Sequence, residues 1–155
     1  VRVSQPVQLL TQPWHLAHRR VVSIPGHPPT VADENWADDH LLPGERRLWT
    51  QLDNRDRRHS VKVARRFVAR RPGATRAEIA GALLHDVGKI ECQLGTFGRV
   101  VASVVGGRTE RFRLYHDHEM IGSRLAAAAG AEPATVELIA EEGPAYVDLK
   151  WSDGA

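Results

Sequence analysis

The sequence lacks several features that would place it in a specialised class of protein. It has one cysteine in 155 residues, Cys92, which excludes an internal disulfide. No apolar run approaches the ~18 to 20 residues that a membrane-spanning helix requires. The first residues show neither the apolar core nor the small-residue cleavage site of a signal peptide. We therefore expect a cytoplasmic protein with no membrane partner.

An excess of charge of one sign is also missing. The chain has 21 Lys and Arg residues against 19 Asp and Glu residues, a formal net charge of +2. This excess is too small to indicate nucleic-acid binding from field strength alone. Hydrophobic residues make up 42% of the chain and charged residues 26%, the balance of a globular domain with a single core. The eight histidines are less expected, and their positions matter more than their number.

The chain divides into an arm and one domain. Residues 1–29 carry five prolines and little periodicity, so we expect an irregular N-terminal arm there. Residues 30–155 are predicted to form an all-α domain, a helical bundle of about six or seven helices. The apolar periodicity predicts helices from about 30 to 42, 45 to 70, 76 to 87, 115 to 129 and 133 to 142, with a short last helix beginning near 146. Residues 96–105 fit a helix or a valine-rich strand, and we favour the helix.

Local signals set the ends of these helices. Thr75 and Glu78 match the T-x-x-E capping box, and Pro133 suits a first helical turn. The Pro43-Gly44 pair is predicted to end the first helix. Gly88 is predicted to stop the helix that carries the segment GALLHDVGKIE.

That segment ends an apolar helix in two adjacent metal-binding side chains, His85 and Asp86. His59 and His118 lie on the apolar faces of two other predicted helices. Ligands that converge from separate helices are how bundles build metal sites, and nitrogen with oxygen donors suits Zn²⁺, Fe²⁺, Mn²⁺ or Co²⁺ better than Ca²⁺. Taken singly, His59 and His118 are more readily hydrogen-bonded core residues than ligands, and His85-Asp86 is equally readily a helix end bonded to nearby backbone. Together, ionisable groups on three buried faces are unfavourable unless they are paired.

The pattern His59 … His85-Asp86-Val87-Gly88-Lys89 … Asp153 resembles the signature of the HD-domain metal-dependent phosphohydrolase superfamily, and the string LLHDVGK is among its more specific parts. The stretch PPTVADENWADDHLLPGERRLW further resembles short HD proteins of actinobacterial type. The resemblance implies an HD-domain helical bundle in which His59, His85, Asp86 and Asp153 hold a divalent metal ion.

Some subgroups of this superfamily hold two ions, and the resemblance extends to them only in part. His118 precedes Gly122 by four residues, as an added histidine does in those subgroups. At the place of a second added histidine this chain has Glu142. The resemblance therefore leaves open whether the site is mononuclear or binuclear. The ion could be Mn, Fe, Zn, Co, Ni or Mg.

The expected activity is hydrolysis of a phosphomonoester or phosphodiester, in a nucleotide or another small phosphate ester, by a metal-activated water. Asp86 is a candidate to orient or deprotonate that water. Lys89, Arg58 and His116 are candidates to bind the substrate. For Lys89 the alternative is a solvated lysine at a helix end, and for Arg58 it is an exposed helix face.

Two other function classes stay open at this stage. The arginine-rich helix over residues 55–71 could bind RNA or a protein partner without catalysis. Less favoured is an HD-fold di-iron oxygenase, because the usual fourth histidine is missing. The oligomeric state is not indicated by the sequence.

Overall fold

The computed structural model describes residues 26–90 and 110–155, without the side chains of 110–117. Within these ranges the chain forms seven α-helices and no strand, which confirms the all-α prediction. No described helix has both the length and the apolar character needed to cross a membrane. Residues 1–25 of the predicted arm, and residues 96–105, lie outside the described part. The helices are α1 Val31–His40, α2 Pro43–Trp49, α3 Asn54–Arg70, α4 Arg76–Leu84, α5 Glu110–Ala128, α6 Pro133–Ile139 and α7 Tyr146–Gly154.

Helix α4 is the centre of the core. Seven of its nine residues are buried, and it packs mainly between α3 and α6, with α1 and α2 also against it. A helix that is apolar on all sides requires such an enclosure. Its predicted capping box is confirmed, because the Glu78 amide donates to Thr75 Oγ1 at 3.2 Å and the Thr75 amide donates to the Glu78 carboxylate at 2.8 Å.

The prediction of one long helix over residues 45–70 is wrong. Pro43, expected to end a helix, instead begins α2. The N–H groups of the first helical turn have no partner within the helix, so the missing N–H of proline removes no hydrogen bond there. The chain leaves α2 after Trp49 and starts α3 at Asn54. The Asp53 carboxylate accepts a hydrogen bond from the Asp56 amide at 2.7 Å and so caps α3. This local cap outweighs the apolar stripe that runs through both helices.

Gly88 does not stop α4 as predicted, since that helix already ends at Leu84. The glycine instead permits a close approach between two backbones. A Cβ at Gly88 would lie 2.0 Å from the carbonyl oxygen of His118, and one at Gly122 would lie 3.1 Å from the backbone nitrogen of Gly88. Helix α5 therefore crosses directly over the turn that follows α4.

Helix α7 is fastened to α3 largely by arginine side chains. Leu149 and Ser152 are its buried residues. Asp148 pairs with Arg70 at 2.8 Å and with Arg71 at 3.3 Å. Arg66 donates to the carbonyl oxygen of Ser152 at 3.4 Å. These contacts place the last turn of α7 beside the middle of α3.

We predict that Gly88→Ala destabilises the fold by about 1–3 kcal/mol, the usual effect of forcing an extra methyl group into a packed contact. The measurement is urea denaturation. Gly154→Ala is the matched control, because a Cβ there meets no atom within 4 Å. We expect the control to change the free energy of unfolding by less than about 0.5 kcal/mol. Equal effects of the two substitutions would contradict the proposed crossing.

Candidate functional site

Helix α3, the turn after α4, and α7 each bring one side chain to a common point. His59 Nε2 donates a hydrogen bond to Asp153 Oδ1 at 2.7 Å, and His85 Nε2 lies 3.6 Å from the same oxygen. The two imidazole centroids are 5.7 Å apart. One ligand atom from each of the three residues lies within 4.8 Å of the others. Three of the four ligands that the family resemblance implies therefore meet in space.

The His85 ring is oriented by its own helix. Its Nδ1 donates to the carbonyl oxygen of Ala82 at 2.9 Å, which leaves Nε2 to face His59 and Asp153. This Nε2 is buried and makes no hydrogen bond. A buried polar atom without a partner is rare in folded proteins. A histidine held at one nitrogen by a carbonyl, whose other nitrogen can give up its proton to bind a cation, is the usual arrangement of a metal ligand.

Asp86 lies at the edge of this cluster rather than within it. Its Oδ2 is 3.6 Å from His85 Nε2 and 2.6 Å from Lys89 Nζ. The predicted fourth ligand is thus engaged in an ion pair with the predicted phosphate-binding lysine. The Lys89 side chain is 43% exposed, so its ammonium group borders solvent.

The cluster opens into a cavity of about 460 Å³, a volume within the range of small-molecule sites. Its wall combines ionisable groups with apolar side chains from α6 and α7. The residues that line it are His59, His85, Asp86, Lys89, His118, Glu119, Leu138, Ile139, Glu141, Tyr146, Leu149, Lys150 and Asp153.

The remaining predicted site residues divide into those inside and those outside this cavity. His118 lines it, as its helix face predicted. Arg58 does not line it, and its guanidinium group instead packs against Gly26. Glu142 is exposed and lies on a separate surface depression. His116 belongs to α5, but its side chain is outside the described part of the chain.

The carboxylate that occupies the expected position of Glu142 is that of its neighbour, Glu141. Helix α6 ends in a turn in which the Glu141 amide bonds to Leu138 O at 3.1 Å and the Glu142 amide bonds to Glu137 O at 2.9 Å. This is the Schellman pattern, which needs a left-handed residue and usually has glycine there. Here that residue is Glu141, with φ +60°. The reversal breaks helical spacing, which is why spacing selected the wrong glutamate.

Sequence reasoning also missed three other residues of the cavity wall. Glu119 follows His118 directly along α5, so helical spacing alone does not put the two side chains on one face, yet both line the cavity. Tyr146 and Lys150 line it from α7. The Tyr146 hydroxyl donates a short hydrogen bond to the Glu141 carboxylate. The spacing of Tyr146, Lys150 and Asp153 along one helix face was the available signal for these two residues.

The cluster is electrostatically coupled. Burial opposes the charged form of His85, but the Asp153 carboxylate and then the charge of Asp86 outweigh it and raise the pKa of His85 above its usual value. The His85 imidazole, together with the hydrogen bond from His59, outweighs burial and holds the pKa of Asp153 well below its usual range. The carboxylate is therefore ionised at neutral pH.

A second coupled pair lies elsewhere on the cavity wall. Burial, followed by a hydrogen bond and charge repulsion from Glu141, raises the pKa of Glu119 to about 7.

We predict that the stability of the wild-type protein falls as pH rises from about 4.5 to about 7, because Glu119 loses its proton over that range. The sign follows because a carboxyl group whose pKa is raised on folding stabilises the fold while protonated. Urea denaturation at several pH values measures the effect. Glu119→Gln keeps the hydrogen-bonding shape without the charge and should flatten this slope. An unchanged slope in the variant would contradict the pairing.

The chain was compared with protein-family models, with curated proteins and with solved structures. None of the three comparisons finds a match.

Proposed function

We propose that this protein is a divalent-metal-dependent phosphohydrolase that cleaves a small phosphate ester, with a nucleotide among the candidate substrates. The observation that carries the proposal is the convergence of His59, His85 and Asp153 within 4.8 Å at the wall of a 460 Å³ cavity. Two imidazoles and a carboxylate form the donor set of catalytic metal sites that keep positions open for water and substrate.

The buried Nε2 of His85 supports a cation at this point. A cation bound by His59, His85 and Asp153 would give that atom the partner that the protein itself does not supply. The ionised Asp153 would offset part of its charge. When bound, such an ion lowers the pKa of a coordinated water and neutralises charge on a phosphate oxygen. The first-row ions share these donors, so Mn, Fe, Zn, Co, Ni and Mg all remain candidates.

Asp86 and Lys89 would serve the reaction from the edge of the cluster. Asp86 lies 3.6 Å from His85 Nε2, close enough to complete the ligand set or to accept a proton from the attacking water. Lys89 is ion-paired with Asp86 and borders solvent, so its ammonium group can bind an entering phosphate oxygen. Both roles follow from where the turn after α4 places these two side chains.

The arrangement accords with the resemblance to the HD superfamily, which we propose as the family of this chain. It does not favour the binding-module alternative. Arginines of the segment over residues 55–71 are engaged within the protein: Arg57 with Glu34, Arg65 with Asp33, Arg70 with Asp148 and Arg71 with Glu78. Side chains committed to ion pairs offer less to an RNA backbone.

We predict that His85→Ala and Asp153→Ala each weaken the binding of Mn²⁺ at least ~100-fold, since even loss of a group that only orients a ligand weakens metal binding about 10–100-fold. Calorimetric titration of metal-free protein measures the affinity. His27→Ala is the matched control, because His27 is exposed and does not line the cavity. Phosphohydrolase activity should fall to background in His85→Ala and Asp153→Ala but not in His27→Ala.

The activity screen uses phosphomonoesters, phosphodiesters and nucleotides with Mn²⁺. Full metal content and turnover in both His85→Ala and Asp153→Ala would refute the proposal. A di-iron optical signal with oxidation chemistry would support the oxygenase instead. Salt-dependent RNA binding without turnover would support the binding module.

Lys89→Met removes the proposed phosphate contact and leaves the three converging ligands in place. We predict a rise in KM of about tenfold, the scale of one charge-assisted hydrogen bond, with an unchanged metal affinity. Steady-state kinetics and metal titration measure the two quantities. A loss of metal binding with no effect on KM would assign Lys89 to holding Asp86 rather than to the substrate.

A further inference from the structure

A second group of polar side chains lines the cavity outside the three-ligand cluster. Glu119 of α5 and Glu141 of the turn after α6 share a hydrogen bond, and the Tyr146 hydroxyl donates to Glu141. All three residues line the cavity that holds His59 and Asp153. The hydrolytic function proposed above makes no use of this group.

The backbone at Glu141 indicates that its side chain matters. Glu141 is the sole non-glycine residue with positive φ among residues 26–90 and 110–155. The left-handed conformation strains any residue that carries a Cβ, and glycine would remove the strain. Strained residues cluster at functional sites, because the surrounding structure has to hold them in place. At this position the left-handed backbone places the Glu141 carboxylate in the cavity wall.

The charge of the pair limits what it can contact. Carboxylate oxygens accept hydrogen bonds from hydroxyl and ammonium groups and repel phosphate oxygens, and a carboxyl pair that holds a single proton keeps this preference because it still bears negative charge. Leu138, Ile139 and Leu149 line the same cavity and offer apolar contact to a carbon skeleton. Lys150, whose Nζ lies 5.8 Å from the Tyr146 ring centroid, is the lining cation that would favour a second phosphate instead.

We propose that Glu141 and Glu119 determine substrate specificity by accepting hydrogen bonds from a hydroxyl or ammonium group on the organic part of a phosphate monoester. This inference rests on the proposed function, since the phosphate of that ester occupies the His59–His85–Asp153 end. The substrate class is therefore a monophosphate of a hydroxylated or amino-bearing small molecule. A compound with a second phosphate at its far end is disfavoured.

The test measures binding to Mn²⁺-loaded full-length protein by calorimetry. The ligands are alkylphosphonates of three to six carbons, which cannot be hydrolysed, ending in an ammonium, a hydroxyl, a methyl or a second phosphonate group. We expect the best ammonium or hydroxyl compound to bind at least about tenfold tighter than the methyl compound of equal length. The bisphosphonates should bind more weakly than the methyl compounds. The ammonium and hydroxyl arms identify which donor is preferred.

Glu141→Gln should reduce this preference to about twofold or less while leaving the affinity of the methyl compounds unchanged. Glu142→Gln is the matched control, because that neighbouring side chain is exposed and lies outside the cavity. Glu141→Gly provides a second variant with a different signature. It relieves the backbone strain, so we expect an unreduced Tm together with loss of the preference. If the role of Glu141 is purely structural, Glu141→Gly should instead lower Tm and keep the preference for the ammonium and hydroxyl compounds.

Equal affinity for all end groups in the wild-type protein would overturn the inference, as would tighter binding of the bisphosphonates. A second Mn²⁺ ion that binds the wild type and is lost in Glu141→Gln would also overturn it, by making the pair a metal site. Turnover of the corresponding alkyl phosphates is measured in parallel. Donor preference without turnover refutes the hydrolytic function and retains the specificity pair, whereas turnover without preference does the reverse.

Discussion

The hydrogen bond from His59 to Asp153 joins residues 94 positions apart, and the geometry of the cavity depends on it. Such a hydrogen bond holds only while its two atoms stay within about 3 Å of each other. Helix α7 maintains that distance, because it packs directly against α3. Helices α4 and α7 both pack on α3, which fixes where three separate segments of the chain bring His59, His85 and Asp153 together.

The cavity wall contains groups that are unfavourable for folding. His85 keeps a buried nitrogen without a hydrogen bond, Glu119 and Glu141 hold two carboxyl groups together, and Glu141 has a strained backbone. Natural proteins tolerate such local conflicts mainly at functional sites, where the surrounding packing offsets them. Here the offset comes from an apolar core and from the tight glycine contact between α5 and the turn after α4.

How well the sequence predicted each feature depended on how far apart in the chain the interacting residues lie. The cap at Thr75 is a local signal and was predicted correctly. The Asp53 cap is equally local, but a continuous apolar stripe masked it, so two helices were taken for one. Glu142 was chosen in place of Glu141 because helical spacing cannot anticipate a left-handed residue. The contact between His59 and Asp153 was expected only from a family resemblance. The two residues are 94 positions apart, and helical periodicity does not predict contacts between residues so distant in the chain.

The arginines on and beside α3 affect how firmly α7, one wall of the cavity, is held. Helix α7 carries Asp153 but contributes only Leu149 and Ser152 to the buried interior, and Asp148 anchors it through charged partners on and beside α3. Mobile ions screen such partly exposed pairs far more than they weaken apolar burial. Ionic strength therefore acts on one wall of the cavity more than on the others. The helix that carries Asp153 is the part of the bundle that the surrounding electrolyte can loosen first.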